Sequence, residues 1–446
     1  MIQHSKRLAA LVAVAGLVVP IAGHATNGYQ LIGIGSHQKG MGGAVTAVPR
    51  SAMTAITNPA GMARIGTRAD FNLELFMPER FVDFSATGGE KQESATTMYG
   101  VPALGWTAPV SDENPDVYFG GGMFGTSGMG VDYGSVQIAP TSPLPGNPPV
   151  YFDGYSSISF WQMAPTLAWN VDKRLSLGVS LNLDYQSVAF KQRTLADTNG
   201  DGTPETTVAN FDLSRQAQGF GMGLSFGALY DVNDALTLGV SYKSRQEFSD
   251  MEYQLASGDI LNMPGASGCN VVVPGIGTAC PAGTYKLELD YPQQAAIGIA
   301  IRPMKGLTVA ADVKWIDWSS TMNELVIHGS SGARVVLPAG WEDQMIYALG
   351  VEYAATPRLN LRAGFNYAEA PFGDGDVSAN LILPATVETH YTVGADYRIN
   401  KHWELAFHYM LTAEKVFTAP ATDPNVPGAK IGLEEKSFGM NLGYLF

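Results

Sequence analysis

Charged residues and long apolar runs are scarce in this chain, and each scarcity argues against a class of protein. Only 15% of the 446 residues are charged, and acidic residues outnumber basic ones by 41 to 27, for a formal net charge of −14. Nucleic-acid binding needs a basic face, so this balance argues against it. A membrane-spanning helix needs about 20 apolar residues, and no stretch beyond the N-terminus provides them. Any insertion into a membrane must therefore use strands, whose individual signals are weak.

The first 25 residues have the features of a secretory signal. Lys6 and Arg7 precede an apolar run, Leu8 to Val19, and small residues end at Ala25. The run is too short to cross a core of about 30 Å, which argues against the alternative of an anchor helix. We predict that residues 1–25 are a signal peptide. Its removal would take Lys6 and Arg7 away and change the net charge from −14 to −16.

Cysteine is also scarce, because Cys269 and Cys280 are the only two. They are eleven positions apart in a segment rich in glycine and proline. In an exported protein this spacing favours one disulfide that closes a loop, over free or metal-bound thiols. A metal site would need further ligands nearby, and the segment contains no histidine or third cysteine.

After residue 69 the chain alternates apolar and polar residues almost throughout. Leu175, Leu177 and Val179, for example, alternate with Ser176 and Gly178, and such a period of two places the two sets on opposite faces of a strand. We predict an all-β transmembrane barrel of about fourteen antiparallel strands, near 69–87, 96–110, 115–131, 156–172, 174–192, 208–231, 234–250, 284–302, 305–325, 341–356, 357–370, 386–400, 401–417 and 432–446.

The connections between these strands alternate in length. Short turns such as 172–173 and 400–401 are followed by long segments such as 193–207 and 251–283. Short periplasmic turns and long outer loops are typical of bacterial outer-membrane barrels, and a soluble β-sandwich would not predict the alternation. We therefore expect the protein in the bacterial outer membrane, with residues 69–446 as the barrel.

Residues 26–68 do not alternate and are rich in glycine and alanine. Their apolar residues, among them Leu31, Ile34 and Met53, argue against a flexible tail. We predict that this segment is a hatch, a small plug inside the barrel.

Three motifs in the hatch resemble the FadL-type outer-membrane transporters: NGYQL at 27–31, GMGGA at 40–44 and NPAGM at 58–62. Further on, LTVAADVKWIDW at 307–318 and LRAGFNY at 361–367 resemble the same family. The family includes importers of long-chain fatty acids and a branch for toluene-like hydrocarbons. The resemblance implies a monomeric fourteen-stranded barrel, pockets for an apolar tail, and sideways exit into the outer-membrane lipid through a gap beside a kinked third strand.

Two groups of residues are candidates for that exit. Gly120, Gly121 and Gly122 lie in the third predicted strand, and consecutive glycines mark bends or bulges; the alternative is that they make room for the hatch. The motif Asn58, Pro59 and Ala60 is a turn starter by its residues alone. The resemblance adds that this hatch turn sits against the kink and couples hatch movement to the gap.

Inward-pointing cations are candidates for holding a ligand carboxylate, because charge-assisted donors suit that group. Lys243, Lys314 and Arg362 lie on predicted barrel strands, and no single one stands out. A ligand site that contains one of these cations would suit a fatty acid, and a site without them would suit a hydrocarbon.

Two other motifs have weaker chemical meaning. Asp197, Asn199 and Asp201 start like a calcium loop, but the twelfth position is Val208, so an acidic outer turn is the favoured alternative. GLSFG at 223–227 matches a serine-hydrolase motif. It lies inside an alternating run without the required strand-to-helix elbow, so we interpret it as small inward residues.

These observations predict a channel for passive uptake of hydrophobic small molecules, with long-chain fatty acids favoured, no cofactor and no enzymatic activity. The alternatives are an importer of aromatic or alkane hydrocarbons, a porin for polar solutes, an outer-membrane lipid hydrolase, and a surface receptor. A porin predicts a charged constriction without a plug, and the apolar hatch argues against it.

Overall fold

The computed structural model describes residues 26–446, and the predicted signal peptide lies outside them. Fourteen antiparallel strands pair in chain order and close into a barrel when the last pairs with the first, from Arg68 with Leu445 to Asp83 with Lys430. The predicted all-β barrel is confirmed. The strands are β1 Arg68–Asp83, β2 Tyr99–Ser111, β3 Asn114–Ala139, β4 Val150–Met163 continued by Thr166–Asn170, β5 Leu175–Ala196, β6 Thr206–Asn233, β7 Leu236–Lys243, β8 Gln294–Met304, β9 Leu307–Ile316, β10 Gln344–Thr356, β11 Leu359–Tyr367, β12 Thr389–Arg398, β13 Trp403–Thr412 continued by Lys415–Thr418, and β14 Lys430–Leu445.

The strands are apolar outside and polar inside, the reverse of a soluble protein. In β1, Phe71 and Leu73 are 49% and 42% exposed, whereas Asn72 and Glu74 are each 1% exposed. The period of two places these sets on opposite faces, and the outward apolar set repeats around the barrel. An outer surface of this kind suits lipid, and the inward polar groups must find partners inside.

Three strands are shorter than the alternation predicts. β7 ends at Lys243, β8 begins at Gln294 and β9 ends at Ile316. The residues beyond them form a separate five-stranded sheet, made of Met251–Leu255, Gly283–Leu287, Leu325–Gly329, Arg334–Leu337 and Ala266–Ser267. This sheet alternates with the same period as the barrel, so the sequence pattern could not separate the two.

The long connections build a cap over one end of the barrel. Its apolar core includes Tyr253, Tyr285 and Trp341, each at most 1% exposed. Cys269 and Cys280 are joined by a disulfide in this cap. Its remaining short elements are Ser85–Thr87, Lys91–Glu93, Glu247–Phe248, Ile260–Leu261, Val271–Val273, Gly277–Ala279, the helical turn Ser319–Met322 and the 3-10 turn Asp374–Ala379.

Residues before β1 fill the barrel interior. They form the short helix α1, Ser36–Gly40, and two 3-10 turns, Ala52–Ile56 and Pro59–Ala63. The hatch, predicted as residues 26–68, comprises residues 26–67, because β1 begins at Arg68. The hatch meets inward glycines around the wall, because a Cβ placed on a wall glycine would strike hatch atoms at Gly105, Gly178, Gly239, Gly350 and Gly364. Within residues 26–446, no helix has the length and apolar character to cross a membrane.

Candidate functional site

The hatch turn at Asn58 is held by the wall strands β5 and β6. The Asn58 side-chain amide donates to the carbonyl oxygens of Thr46, at 2.7 Å, and Ala228, at 3.2 Å. Its Oδ1 accepts from the amide of Ala60 at 3.2 Å, which caps the second 3-10 turn. Pro59 lies against Gly178 and Gly227, where a Cβ would stand within 3 Å of its atoms. Asn58 and Pro59 therefore rest on β5 and β6, because those two glycines leave room for the proline ring. Met62 of the same 3-10 turn lies beside Gly120 of β3, where a Cβ would stand 3.0 Å from its Cε.

Four basic side chains of the hatch contact carboxylates of the wall. Lys39 Nζ lies 2.8 Å from Glu74, and both side chains are at most 1% exposed. His37 contacts Glu404 at 3.0 Å, Arg50 contacts Glu352 at 2.5 Å, and Arg64 contacts Asp231. The pairs of Lys39 and His37 are buried, and a buried pair is costly to break on one side only, whereas the arginine side chains of the other two pairs are partly exposed. Together the four contacts connect the hatch to four points of the wall.

A cavity lies between the hatch and strands β6 to β10. Lys243 and Lys314 both line it, together with apolar hatch residues that include Leu31, Ile34 and Ile56. The Lys243 side chain donates to Gln162 at 2.9 Å, and the Lys314 side chain makes no hydrogen bond or ion pair with any described side chain. Two lysine side chains beside an apolar surface can hold a molecule with an anionic head and a hydrocarbon tail. We call this space the lysine cavity.

Arg362, the third predicted carboxylate ligand, does not line the lysine cavity. Its guanidinium is 1% exposed and lies 2.7 Å from Glu352. It also pairs with Asp396 on the neighbouring strand. Arg362 thus belongs to an ion-pair network of the wall, outside the lysine cavity, and its Nη1 has no hydrogen-bond partner among the described residues.

The hydrogen-bond ladder between β2 and β3 stops partway along both strands. Its last pair is Ala103 with Phe124, although β2 continues to pair with β1 as far as Tyr99. Beyond Phe124, β3 bonds to the hatch instead: Gly128 donates to Tyr29 at 3.0 Å, and Leu31 donates to Thr126 at 3.1 Å. The wall therefore has a break, which we define by Tyr99–Pro102 on β2 and residues 125–130 on β3.

The glycine triplet lies just before this break. Gly120, Gly121 and Gly122 still pair with β2. On its other edge the triplet faces Ala164 and Pro165, where β4 is interrupted. A Cβ on Gly121 would stand 2.3 Å from the Ala164 oxygen, and its φ of +134° is also unfavourable for other residues. The triplet thus accommodates the irregularity of β4, and the open ladder starts at Gly125.

A second cavity lies directly inside the break. Aromatic side chains form much of its lining: Phe76, Tyr99, Phe160 and Trp161. Leu31 of the hatch lines both this space, which we call the break pocket, and the lysine cavity. The hatch segment around Leu31 is therefore the partition between the two cavities.

Rings from the cap hold the start of that partition. Tyr29 packs on Trp318 and Tyr291, with ring centroids 4.7 and 5.7 Å apart. Gly28 has a φ of +66°, and a Cβ there would stand 2.7 Å from the Trp318 indole. Burial raises the pKa of the Tyr29 phenol well above its usual value, so the ring stays neutral. Any movement of the partition has to disturb this cluster.

In the described structure, the two weaker motifs, which contain Asp197 and Ser225, show neither a set of metal ligands nor a set of catalytic side chains. The two oxygens of Asp197 accept from the amides of Gly200 and Gly202, at 2.7 and 2.8 Å. No cluster of three metal-ligating side chains occurs among the described residues, so the calcium interpretation is not supported by geometry. Among residues 26–446, the Ser225 hydroxyl exchanges hydrogen bonds only with the Asn182 side chain, which fits a small inward residue of a packed wall.

The contacts that place the hatch cannot be predicted from the sequence pattern. Lys39 is one charge in a glycine-rich segment and Glu74 one charge on a strand, and neither position predicts that the two side chains pair. Tyr29 lies inside the NGYQL motif, but its hydrogen bond to the edge of β3 is made with Gly128, almost a hundred residues away in the sequence. The available signal was the one-sided charge of the hatch, which contains His37, Lys39, Arg50 and Arg64 and no acidic residue.

Comparisons with known proteins agree with this architecture. The family described as "Outer membrane protein transport protein (OMPP1/FadL/TodX)" matches residues 12–444. The 47 kDa outer membrane protein of Pasteurella multocida is 24% identical over 270 residues, which is 59% of this chain and 58% of the relative. Outer membrane protein P1 of Haemophilus influenzae is 22% identical over 384 residues, 78% of this chain and 75% of the relative.

Solved structures share the fold at low identity. The Pseudomonas putida toluene transporter TodX has a TM-score of 0.70 at 21% identity, covering 94% of this chain and 100% of that one. A Pseudomonas aeruginosa FadL homologue has a TM-score of 0.68 at 16% identity, covering 94% and 99%. At such identities the likeness establishes the fold.

Proposed function

Because this chain belongs to the OMPP1/FadL/TodX family of outer membrane transport proteins, we propose that the hydrophobic compound it takes up is a long-chain fatty acid. Members of the family are transport channels and not enzymes. The observation that carries the choice of ligand is the lysine cavity, in which Lys243 and Lys314 lie beside apolar hatch residues. A carboxylate would bind the ammonium groups, and the acyl chain would cover the hatch surface.

The proposed route runs from the lysine cavity past the partition at Leu31 into the break pocket, and then sideways into lipid. An acyl chain gains about 0.8 kcal/mol for each CH₂ buried in the bilayer, so the final step is downhill without any energy source. A route along the barrel axis would instead expose the chain to water. Passive sideways diffusion is therefore the mechanism we favour.

A second candidate ligand is an aromatic or alkane hydrocarbon. The observation that favours it is the break pocket, whose rings Phe76, Phe160 and Trp161 suit a ligand without a charged end. Such a ligand would not need the two lysines. Whether uptake depends on the two lysines therefore distinguishes the fatty acid from the hydrocarbon.

The test is uptake by bacterial cells that lack their own importer and express this protein. We expect the wild-type protein to restore uptake of labelled oleate at limiting concentration. The double substitution Lys243→Met and Lys314→Met should lower this uptake about tenfold, because the charge-assisted bonds to the carboxylate are lost. Toluene uptake should not change in that variant. Lys401→Met, in an exposed short turn, is the matched control. Toluene uptake without oleate uptake would reject the fatty acid and favour the hydrocarbon.

A further inference from the structure

Two buried polar side chains in the break pocket have unused hydrogen-bonding capacity. Arg80 and Glu435 both line the pocket and are 5% and 2% exposed. Arg80 Nε and Glu435 Oε2 have no hydrogen-bond partner among the described residues. Buried donors and acceptors are nearly always paired. An unpaired donor and an unpaired acceptor in one pocket therefore point to a ligand.

The other atoms of both groups are occupied. The two terminal nitrogens of Arg80 donate to the Tyr99 hydroxyl, at 3.4 Å, and to the Thr96 carbonyl oxygen. Glu435 Oε1 accepts from the Thr26 hydroxyl at 3.1 Å. His390 Nε2 lies 3.8 Å from Glu435 Oε2, which is beyond hydrogen-bond distance. One donor and one acceptor thus remain for a guest.

The two groups are close but not joined. Arg80 pairs with Leu433 in the β1–β14 register, and Glu435 pairs with Pro78. Arg80 and Glu435 are therefore diagonal neighbours on the inward face, within reach of one small group. No ion pair joins Arg80 to any described carboxylate. A molecule that sits between them would meet an N–H on one side and a carboxyl oxygen on the other.

We propose that the break pocket is a second binding site, selective for apolar molecules that carry one hydroxyl group, such as long-chain alcohols. A hydroxyl accepts from Arg80 Nε and donates to Glu435 Oε2 with one oxygen atom. An alkane leaves both groups unpaired, and a carboxylate places a second acceptor against Glu435. The hydroxyl ligand enters by the proposed route, so its delivery depends on the proposed function. Its binding does not.

Binding can be followed in the purified full chain in lipid nanodiscs, because Trp161 lines the pocket and bromine quenches indole fluorescence. The probes are ω-bromoundecanol, the matching bromo acid and 1-bromoundecane. We expect the alcohol to quench at concentrations about tenfold lower than either of the other probes. A tenfold difference in affinity is roughly what one added hydrogen bond to a charged group contributes. Trp161→Phe should remove this component of the quenching. Quenching that survives in that variant would place the probe elsewhere and overturn the site.

Substitutions separate the head-group contact from simple apolar binding. Glu435→Leu should abolish the preference for the alcohol, whereas Glu435→Gln, which keeps a carbonyl acceptor, should retain it. Glu434→Leu on the opposite face of β14 is the matched control and should change nothing. Arg80→Met removes the donor and tests the same contact if Glu435→Leu does not fold.

Equal binding of alcohol and alkane, tightest binding of the acid, or a preference that survives Glu435→Leu would overturn the inference. The outcomes are distinguishable from those of the proposed function. Alcohol binding in a protein that fails to import oleate would leave this site standing. Oleate import without alcohol selectivity would reject the site alone.

Discussion

Asn58 of the hatch and Gly227 of β6 approach so closely that only a hydrogen atom fits between them. A Cβ on Gly227 would stand 2.1 Å from Asn58 Oδ1. The same asparagine donates to the Ala228 carbonyl oxygen at 3.2 Å. The hatch turn is thus positioned both by the shape of the wall and by a hydrogen bond to it.

Gly227→Val should displace the hatch turn. The new side chain would overlap Asn58 and Pro59, and overpacking of this kind costs about 1–3 kcal/mol. We expect a lower midpoint of thermal unfolding, measured by circular dichroism of the detergent-solubilised protein. Gly100→Val is the matched control, because a Cβ on that strand glycine meets nothing within 4 Å. Equal midpoints for the two variants would contradict the close contact.

Asn58→Asp should damage the hatch more than Asn58→Ala. Aspartate cannot donate to the Thr46 and Ala228 carbonyls, and its oxygen would face them as a second acceptor, whereas alanine only deletes the bonds. We expect faster tryptic cleavage of the hatch in the order Asp, Ala, wild type. An aspartate variant as resistant as the wild type would show that the donated bonds do not hold the turn.

The buried pair Lys39 and Glu74 should show strong coupling. Lys39→Met leaves Glu74 buried without its partner, which costs about 3–5 kcal/mol. Lys39→Met combined with Glu74→Gln should recover most of that loss in urea unfolding. Additive losses in the double variant would mean that the two side chains act independently.

The disulfide should matter for the cap and not for the barrel. Cys269→Ser with Cys280→Ser opens a short loop, for which loop-closure entropy gives about 3 kcal/mol of local stabilisation. We expect earlier proteolysis between residues 256 and 283 and an unchanged barrel midpoint. A drop of the barrel midpoint would show that the cap and barrel unfold together.

The barrel could be predicted from the sequence because lipid outside and polar groups inside impose a strict period of two, as in Leu73, Glu74 and Leu75. The sequence does not predict where β8 begins, because Tyr285 and Leu287 in the cap alternate in the same way as the barrel residues. A pattern reports which residues share a face and does not report which sheet they join.

Only part of the candidate site could be predicted from the sequence. Lys243 and Lys314 were predicted as inward cations, but their sharing of one cavity depends on strand register. Arg362 had the same pattern and turned out to be neutralised by Glu352 and Asp396. The break likewise begins at Gly125 because the hatch replaces β2 as the partner of β3, a contact that glycine spacing cannot reveal.

The proposed exit is tested most directly by closing the break with a reversible bond. A Cβ at position 125 would lie 3.0 Å from Val101 Cγ1, a separation that suits a disulfide between Val101→Cys and Gly125→Cys. We measure oleate uptake by cells that carry this double variant, oxidised and then reduced, with each single variant as control. Loss of uptake on oxidation and recovery on reduction, in the double variant alone, is the expected result. Uptake that persists with the bond formed would contradict sideways exit between β2 and β3.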